Sequence, residues 1–174
     1  MDGMSVSLGT HVGGRALPVA ILIVSMGAIA GAFTAQYVFG LEPCVLCLYQ
    51  RVPYAITGAL AALAIFLSAR GQAPPWLVIA CGVVFLAGSA LAFYHVGVEQ
   101  HWWGSVAACG GELSSGVSVT DLTAQLATEQ RRPCDQVDWT LFGVSMAGYN
   151  SAVSLGLGVA TIAGGWYLGK ERQR

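Results

Sequence analysis

Glu42-Pro43-Cys44-Val45-Leu46-Cys47-Leu48-Tyr49-Gln50-Arg51 separates two long apolar runs. Two cysteines stand two residues apart, and an arginine follows the second by four positions. A Cys-x-x-Cys pair is a redox or metal-binding element. Its place between two apolar runs sets it at a membrane boundary, within reach of a lipid-soluble partner.

On the N-terminal side of this stretch, Arg15 precedes an uncharged run from Ala16 to Gly40. A helix crossing a bilayer needs roughly 20 apolar residues, and this run is long enough. A cleaved signal peptide is the rival reading, but its apolar segment covers only about 7–15 residues. Residues 1–14 read as a loose tail. Gly27 and Gly31 form a small-xxx-small pair, which predicts a close helix approach there. On the C-terminal side, Val52–Ala69 is uncharged between Arg51 and Arg70, with Pro53 in a first turn that tolerates it. After a turn at Gly71–Pro75, Trp76 to Val96 makes a third run, with Trp76 and Tyr94 suited to the two interfaces. Cys81, inside that run, reads as a small buried apolar side chain. The last uncharged run extends from Thr140 to Gly169, its spanning part starting near Met146, and Lys170, Arg172 and Arg174 follow.

The totals agree with lipid. Of 174 residues, 55% are hydrophobic and 10% charged, whereas a soluble domain carries about a quarter charged residues. A net charge of −1 with scattered basic residues leaves no footprint for nucleic acid. The one long polar segment lies between the third and fourth runs. Within it, Ser118-x-x-Asp121 reads as a capping box and Val117 with Leu122 as a hydrophobic staple. Val119, Leu122 and Leu126 then predict a short amphipathic helix over 119–130, lying on the membrane or the bundle. The expected fold is an all-α integral membrane protein, a four-transmembrane-helix bundle forming one domain over residues 1–174. Its spans fall at about 16–40, 52–69, 76–96 and 146–168 by the length rule. Loops 41–51 and 97–145 carry the cysteines, the second holding the amphipathic helix.

With four spans both termini share a side, together with Arg15, Arg70, Lys170, Arg172 and Arg174. The other side holds Arg51, Arg131 and Arg132 among seven carboxylates. The positive-inside rule places the termini in the cytoplasm. Parity puts the loops after the first and third spans in one compartment, the outside. Cys44, Cys47, Cys109 and Cys134 can then meet without crossing the bilayer, in an oxidising setting.

A helix starting near Cys47 would set that cysteine in its first turn, where the helix dipole favours a thiolate. Arg51, on the same face, adds a fixed cation. A thiolate at a membrane surface is an electron donor, and a quinone is the natural dissolved acceptor, since no haem, flavin or nicotinamide motif is visible. Cys109 and Cys134 are either a stapling disulfide or, beside the first pair, part of a relay between a soluble protein and the quinone. Metal binding is a rival: Cys44, Cys47, His95 and His101 are suitable ligand types, but their spacing fits no standard zinc pattern. His95 could satisfy an interfacial hydrogen bond or donate one to a quinone carbonyl. Trp102, Trp103 and Trp139 read as interfacial anchors, and Asn150 as helix-to-helix glue.

Pro43-Cys44-x-Leu46-Cys47-x-x-Gln50-Arg51, with one cysteine after the third run and another before the fourth, resembles the bacterial disulfide-bond formation protein B family, DsbB. Tyr94-His95-x-Gly97-Val98-Glu99 and Phe142-Gly143-Val144-Ser145-Met146-Ala147-x-Tyr149-Asn150 resemble motifs of its alphaproteobacterial branch. The resemblance implies a protein of the bacterial inner membrane, its cysteine loops periplasmic. It would be a quinone reductase, using ubiquinone or menaquinone, that reoxidises a periplasmic thiol oxidase of the DsbA type. This quinone-linked route is the established one for the family, so it is carried by the resemblance and not by the spacing. Cys109 would be attacked by the reduced partner, with Cys134 its mate in the resting disulfide. Cys44 would exchange with that pair, and Cys47 would form the thiolate adduct or charge-transfer complex with quinone. Arg51 would hold the quinone and stabilise its developing charge, with His95 close by. Gln50 replaces a glutamate found in some members, a departure that bears on any acid/base role at this position and not on the role of Arg51. A DsbA-type oxidant sits near −120 mV, so its acceptor must be at least comparably oxidising. The rivals are a non-enzymatic four-span protein with structural loop disulfides, and a vitamin-K-epoxide-reductase-like enzyme, whose Cys-x-x-Cys falls late in the chain.

Overall fold

A computed structural model describes residues 3–70, 74–104, 133–137 and 139–173. Helix α1 covers Gly3–Tyr37, α2 Val45–Tyr49, α3 Arg51–Ala69 and α4 Pro75–Glu99. Strands β1 (Thr140–Leu141) and β2 (Val144–Ser145) lead into α5 (Met146–Glu171). Among the described residues, four stretches are long and apolar enough to cross a membrane: Arg15–Tyr37, Val45–Ala69, Pro75–Glu99 and Met146–Glu171. The expected amphipathic helix over 119–130 lies outside the described residues.

The starts of α4 and α5 have local causes. Pro75 opens α4 at the position where a missing N–H costs least. The Ser145 hydroxyl caps α5 by accepting the Gly148 amide, 3.2 Å away. The strands pair antiparallel, Thr140 with Ser145 and Leu141 with Val144. The two residues between them have positive φ, 50° at Phe142 and 79° at Gly143. That is the backbone of a tight primed hairpin turn. It lifts Phe142 to 92% exposure, directly before the helix that returns to the bundle.

Neighbours around the bundle run α1–α3–α4–α5, with α4 against α5 the most extensive contact. Ile21, Tyr54, Ala61, Val78, Cys81 and Phe85 form its central cluster. Cys81 is buried there, its sulfur 3.8 Å from the Thr57 carbonyl, as a small core side chain would be. Large apolar side chains such as Ile23, Phe66, Val83 and Trp166 stay exposed. Outward apolar faces on long helices are what lipid requires. Among the described residues the expected close approach at Gly27 and Gly31 is absent: a Cβ at either meets nothing within 4 Å. The close approach is instead between α4 and α5. A Cβ at Gly82 would stand 2.9 Å from the Gly158 carbonyl oxygen. In α1 the same spacing of small residues faces lipid at Gly27 and a cavity at Gly31.

Candidate active site

The segment before α2 is extended, with Cys44 at φ −69° and ψ 170°. Its sulfur takes the place a serine or aspartate oxygen takes at a helix start, accepting the Cys47 amide at 3.2 Å. One side chain is thus both the cap and half of the reactive pair. Cys47, in the first turn, has its sulfur 2.8 Å from that of Cys44. Cys44 is buried and Cys47 half-buried. The Cys44 thiol is pushed up to about 12, first because its proton is held against the Cys47 sulfur and then by burial; His95 opposes the shift.

At Gln50 the helix breaks for one residue, which ends α2 and precedes α3 while keeping a helical backbone, φ −67° and ψ −15°. The near-continuity carries Arg51 and Tyr54 onward from Cys47 at helical spacing. Arg51 donates to Gln36 Oε1 on α1 at 2.8 Å and lies over the Phe33 ring, 5.1 Å from its centre.

Helix α4 continues through Glu99, beyond the expected end of the third span near Val96, and so delivers two polar groups one turn apart. His95 Nε2 lies 3.6 Å from Cys44 Sγ and 3.8 Å from Glu99 Oε1. Ser145 donates to the other Glu99 oxygen at 2.5 Å, tying the end of α4 to the start of α5. On the opposite edge of the imidazole, Gln50 Nε2 meets Nδ1 at 2.7 Å. Asn150 Nδ2 donates to Gln50 Oε1 at 2.5 Å. Tyr54 and Ser154 close the chain on Asn150 Oδ1, at 2.6 Å and 3.1 Å. Asn150 is therefore glue between helices, as its type suggested, and also a member of this chain.

These groups border a cavity of about 470 Å³. Ala28, Ala32 and Ala35, on one face of α1, make part of its apolar wall, while Cys47, Arg51 and His95 reach it from α2, α3 and α4. Cys134 is 1% exposed and packs in one cluster with Cys44, Leu46 and Val98. Cys109 lies outside the described residues. Five of the six sequence-derived site residues thus converge on one end of the bundle. The ligating atoms of Cys44, Cys47 and His95 all lie within 4.8 Å of one another. His101, the fourth metal candidate, is exposed at a left-handed turn (φ 58°) outside that triplet. Trp103 is packed rather than free: its indole stacks on Tyr94, 5.7 Å between centres, and donates to the Tyr94 carbonyl.

Sequence reasoning did not single out Gln50, Tyr54 or Glu99 as members of one site. The available signal was polarity within apolar helices, at 50 and 54, 95 and 99, and 150 and 154, where buried polar side chains mark function.

The family model for disulfide bond formation protein DsbB matches residues 14–164. The chain is 28% identical to the disulfide bond formation protein B of Azoarcus sp. over 166 residues, 92% of this chain and 95% of that protein. It is 30% identical to the disulfide bond formation protein B of Nitrosococcus oceani over 151 residues, 86% of each. An uncharacterized protein of Rickettsia prowazekii is 24% identical over 143 residues, 81% of each. No solved structure matches the chain. A cysteine-capped helix at one end of four long apolar helices, matched across most of its length by that family model, places this multi-pass membrane protein in the DsbB family of disulfide bond formation proteins.

Proposed function

We propose that this chain is a quinone-dependent thiol oxidase of the bacterial inner membrane. It reoxidises a periplasmic DsbA-type dithiol and passes the electrons through two cysteine pairs to membrane quinone. Its termini are cytoplasmic and its cysteine loops periplasmic, by the charge and parity arguments above. The observation that carries the reading is the shared position of Cys44, Cys47, Arg51 and His95 on one apolar-walled cavity, with Cys134 in the same buried cluster as Cys44.

The cavity suits a flat ring with a carbonyl at each end. It is mostly apolar, sized within the ordinary range of small-molecule sites, and offers a guanidinium and an imidazole to oxygen atoms. A bound quinone supplies an acceptor for two electrons and two protons. Cys109 takes the attack of the partner's thiolate and forms the mixed disulfide, which releases Cys134 as a thiolate. The second partner thiol then resolves the mixed disulfide and leaves the partner oxidised. Cys134 attacks Cys44 of the Cys44–Cys47 disulfide, and Cys47 leaves as a thiolate; Cys109 then attacks Cys134, which restores the Cys109–Cys134 disulfide and releases Cys44. Cys44 and Cys47 are now the reduced pair, which closes to a disulfide again as its two electrons pass to the acceptor. Arg51, steadied by Gln36 and Phe33, binds the acceptor's oxygen and favours negative charge on it. The two protons match the two lost by the partner dithiol, so partner and acceptor together balance.

The test is turnover by purified protein given a reduced DsbA-type partner and a soluble quinone. Loss of quinone reduction in Cys44→Ser and in Cys47→Ser is expected; full turnover in either removes the proposal. A scaffold with purely structural disulfides would show the same thiol count with and without quinone.

A further inference from the structure

We infer that the buried chain from Tyr54 and Ser154 through Asn150 and Gln50 holds His95 as the neutral tautomer protonated on Nε2. His95 then serves Cys44 as a hydrogen-bond donor and not as its base.

The direction of the chain is decided at its hydroxyl end. Tyr54 and Ser154 carry one hydroxyl proton each, lie 3.0 Å apart, and face the same atom of Asn150. Among the described hydrogen bonds, each hydroxyl has no acceptor beyond that atom and the other hydroxyl. Were that atom the amide nitrogen, both hydroxyls would accept from it, and only one of their protons could be used between them. The other would be buried without a partner, which folded proteins avoid. An amide oxygen accepts both. Asn150 then turns its NH2 to Gln50, and Gln50 must answer with its oxygen, 2.5 Å away. The Gln50 NH2 is left facing His95 Nδ1 at 2.7 Å. That nitrogen must be a lone pair, and a neutral imidazole with one bare nitrogen carries its proton on the other. An imidazolium would set N–H against NH2.

The Nε2 proton points into the gap between Cys44 Sγ at 3.6 Å and Glu99 Oε1 at 3.8 Å. Three consequences follow from that direction. His95 has no free lone pair with which to take the Cys44 proton, which rests on the Cys47 sulfur. Its donated bond favours negative charge on the Cys44 sulfur when Cys44 and Cys134 exchange. The Cys44–Cys47–His95 triplet lacks a third lone pair for a cation. Gln50 and Asn150 are positioning residues, acting through His95.

The bearing on turnover rests on the thiol-oxidase reading, but the tautomer is measurable in protein that never turns over. The chain has three histidines, so the full-length protein is labelled with 15N-histidine in detergent micelles. His95 is assigned by its loss in His95→Gln. Long-range 1H–15N NMR then distinguishes the tautomers. Wild type at neutral pH is expected to show Nε2–H. A proton on Nδ1, alone or as imidazolium, overturns the inference. In Gln50→Glu the carboxylate accepts from Asn150 and from the imidazole, so the Nδ1 position becomes protonated; an unchanged spectrum would overturn the Gln50–His95 contact. Asn150→Ala removes what orients Gln50 and is expected to give both tautomers. A pure Nε2–H signal in that variant would remove Asn150 from the chain. Absent quinone turnover with the Nε2–H signal present would sink the proposed function and leave this assignment standing.

Discussion

The Cys44 sulfur caps the helix that carries Cys47, with the Cys47 amide nitrogen 3.2 Å from Cys44 Sγ. The same sulfur gives its proton to Cys47 across 2.8 Å. The two thiols are therefore unequal before any partner arrives, Cys44 held as the protonated, buried member and Cys47 left half-buried.

That inequality predicts the order of alkylation. In reduced protein at pH 8, one equivalent of iodoacetamide should modify Cys47 well ahead of Cys44, as read by fragment-ion mapping of their shared peptide. Cys44, pushed up to about 12, stays a thiol through this range. Because the folded state holds that proton more tightly than the unfolded chain does, the linked stability is fully present below the ordinary thiol range. It is lost as pH rises through about 12. Equal labelling of both cysteines at pH 8 would contradict the geometry.

Arg51 has a separate role from the cysteines. Its guanidinium is fixed by Gln36, 2.8 Å away, and by the Phe33 ring, which pre-orients it at the cavity edge. A hydrogen bond to a charged group is worth about 1.5–3 kcal/mol, roughly tenfold or more in affinity. Arg51→His should raise the quinone KM by about that factor while thermal unfolding in detergent hardly moves. Gln36→Leu should shift KM the same way by less, since it only releases the guanidinium. An unchanged KM in Arg51→His would make the arginine a topological anchor.

Much of the fold was legible because charge brackets the apolar runs: Arg15, Arg51, Arg70 and Lys170 each stand at the edge of one. The Cys-x-x-Cys pair and its arginine were legible as a motif. The chain through Gln50, His95 and Asn150 was not. Its contacts join residues 45 and 100 positions apart, from the break between α2 and α3 to α4 and α5, and no local spacing encodes which polar side chains of separate helices will meet. The hairpin at 140–145 was hidden inside an uncharged run, where Phe142-Gly143 was its one turn signal. Gly27 and Gly31 misled for a related reason: a small-xxx-small pair says that a helix can be approached, not that a neighbour is there.

The glycines give a stability test with an internal control. A methyl at Gly82 would crowd Ile162 and the Gly158 carbonyl, whereas one at Gly27 meets nothing. Overpacking a tight site costs about 1–3 kcal/mol. Gly82→Ala should lower the unfolding midpoint in detergent by several degrees, and Gly27→Ala should leave it unchanged or raise it through helix propensity. Equal effects would mean that α4 and α5 are not packed through Gly82 and Gly158.

The route between the two cysteine pairs can be trapped. Cys44 and Cys134 share one buried cluster, and Cys81 belongs to another, deeper in the bundle. Removing the mates of the first two, in Cys47→Ser with Cys109→Ser, leaves Cys44 and Cys134 in that cluster without their proposed partners. Mild oxidation should then give a Cys44–Cys134 disulfide, seen by non-reducing peptide mapping, with Cys81 still alkylatable after unfolding. A disulfide between two thiols forms only where their backbones approach to within about 7 Å, so the product reports proximity directly. Failure to form it, or a bridge to Cys81 instead, would break the path from the outer loop to the cavity. The proposed flow of electrons through Cys44 would then have to be abandoned.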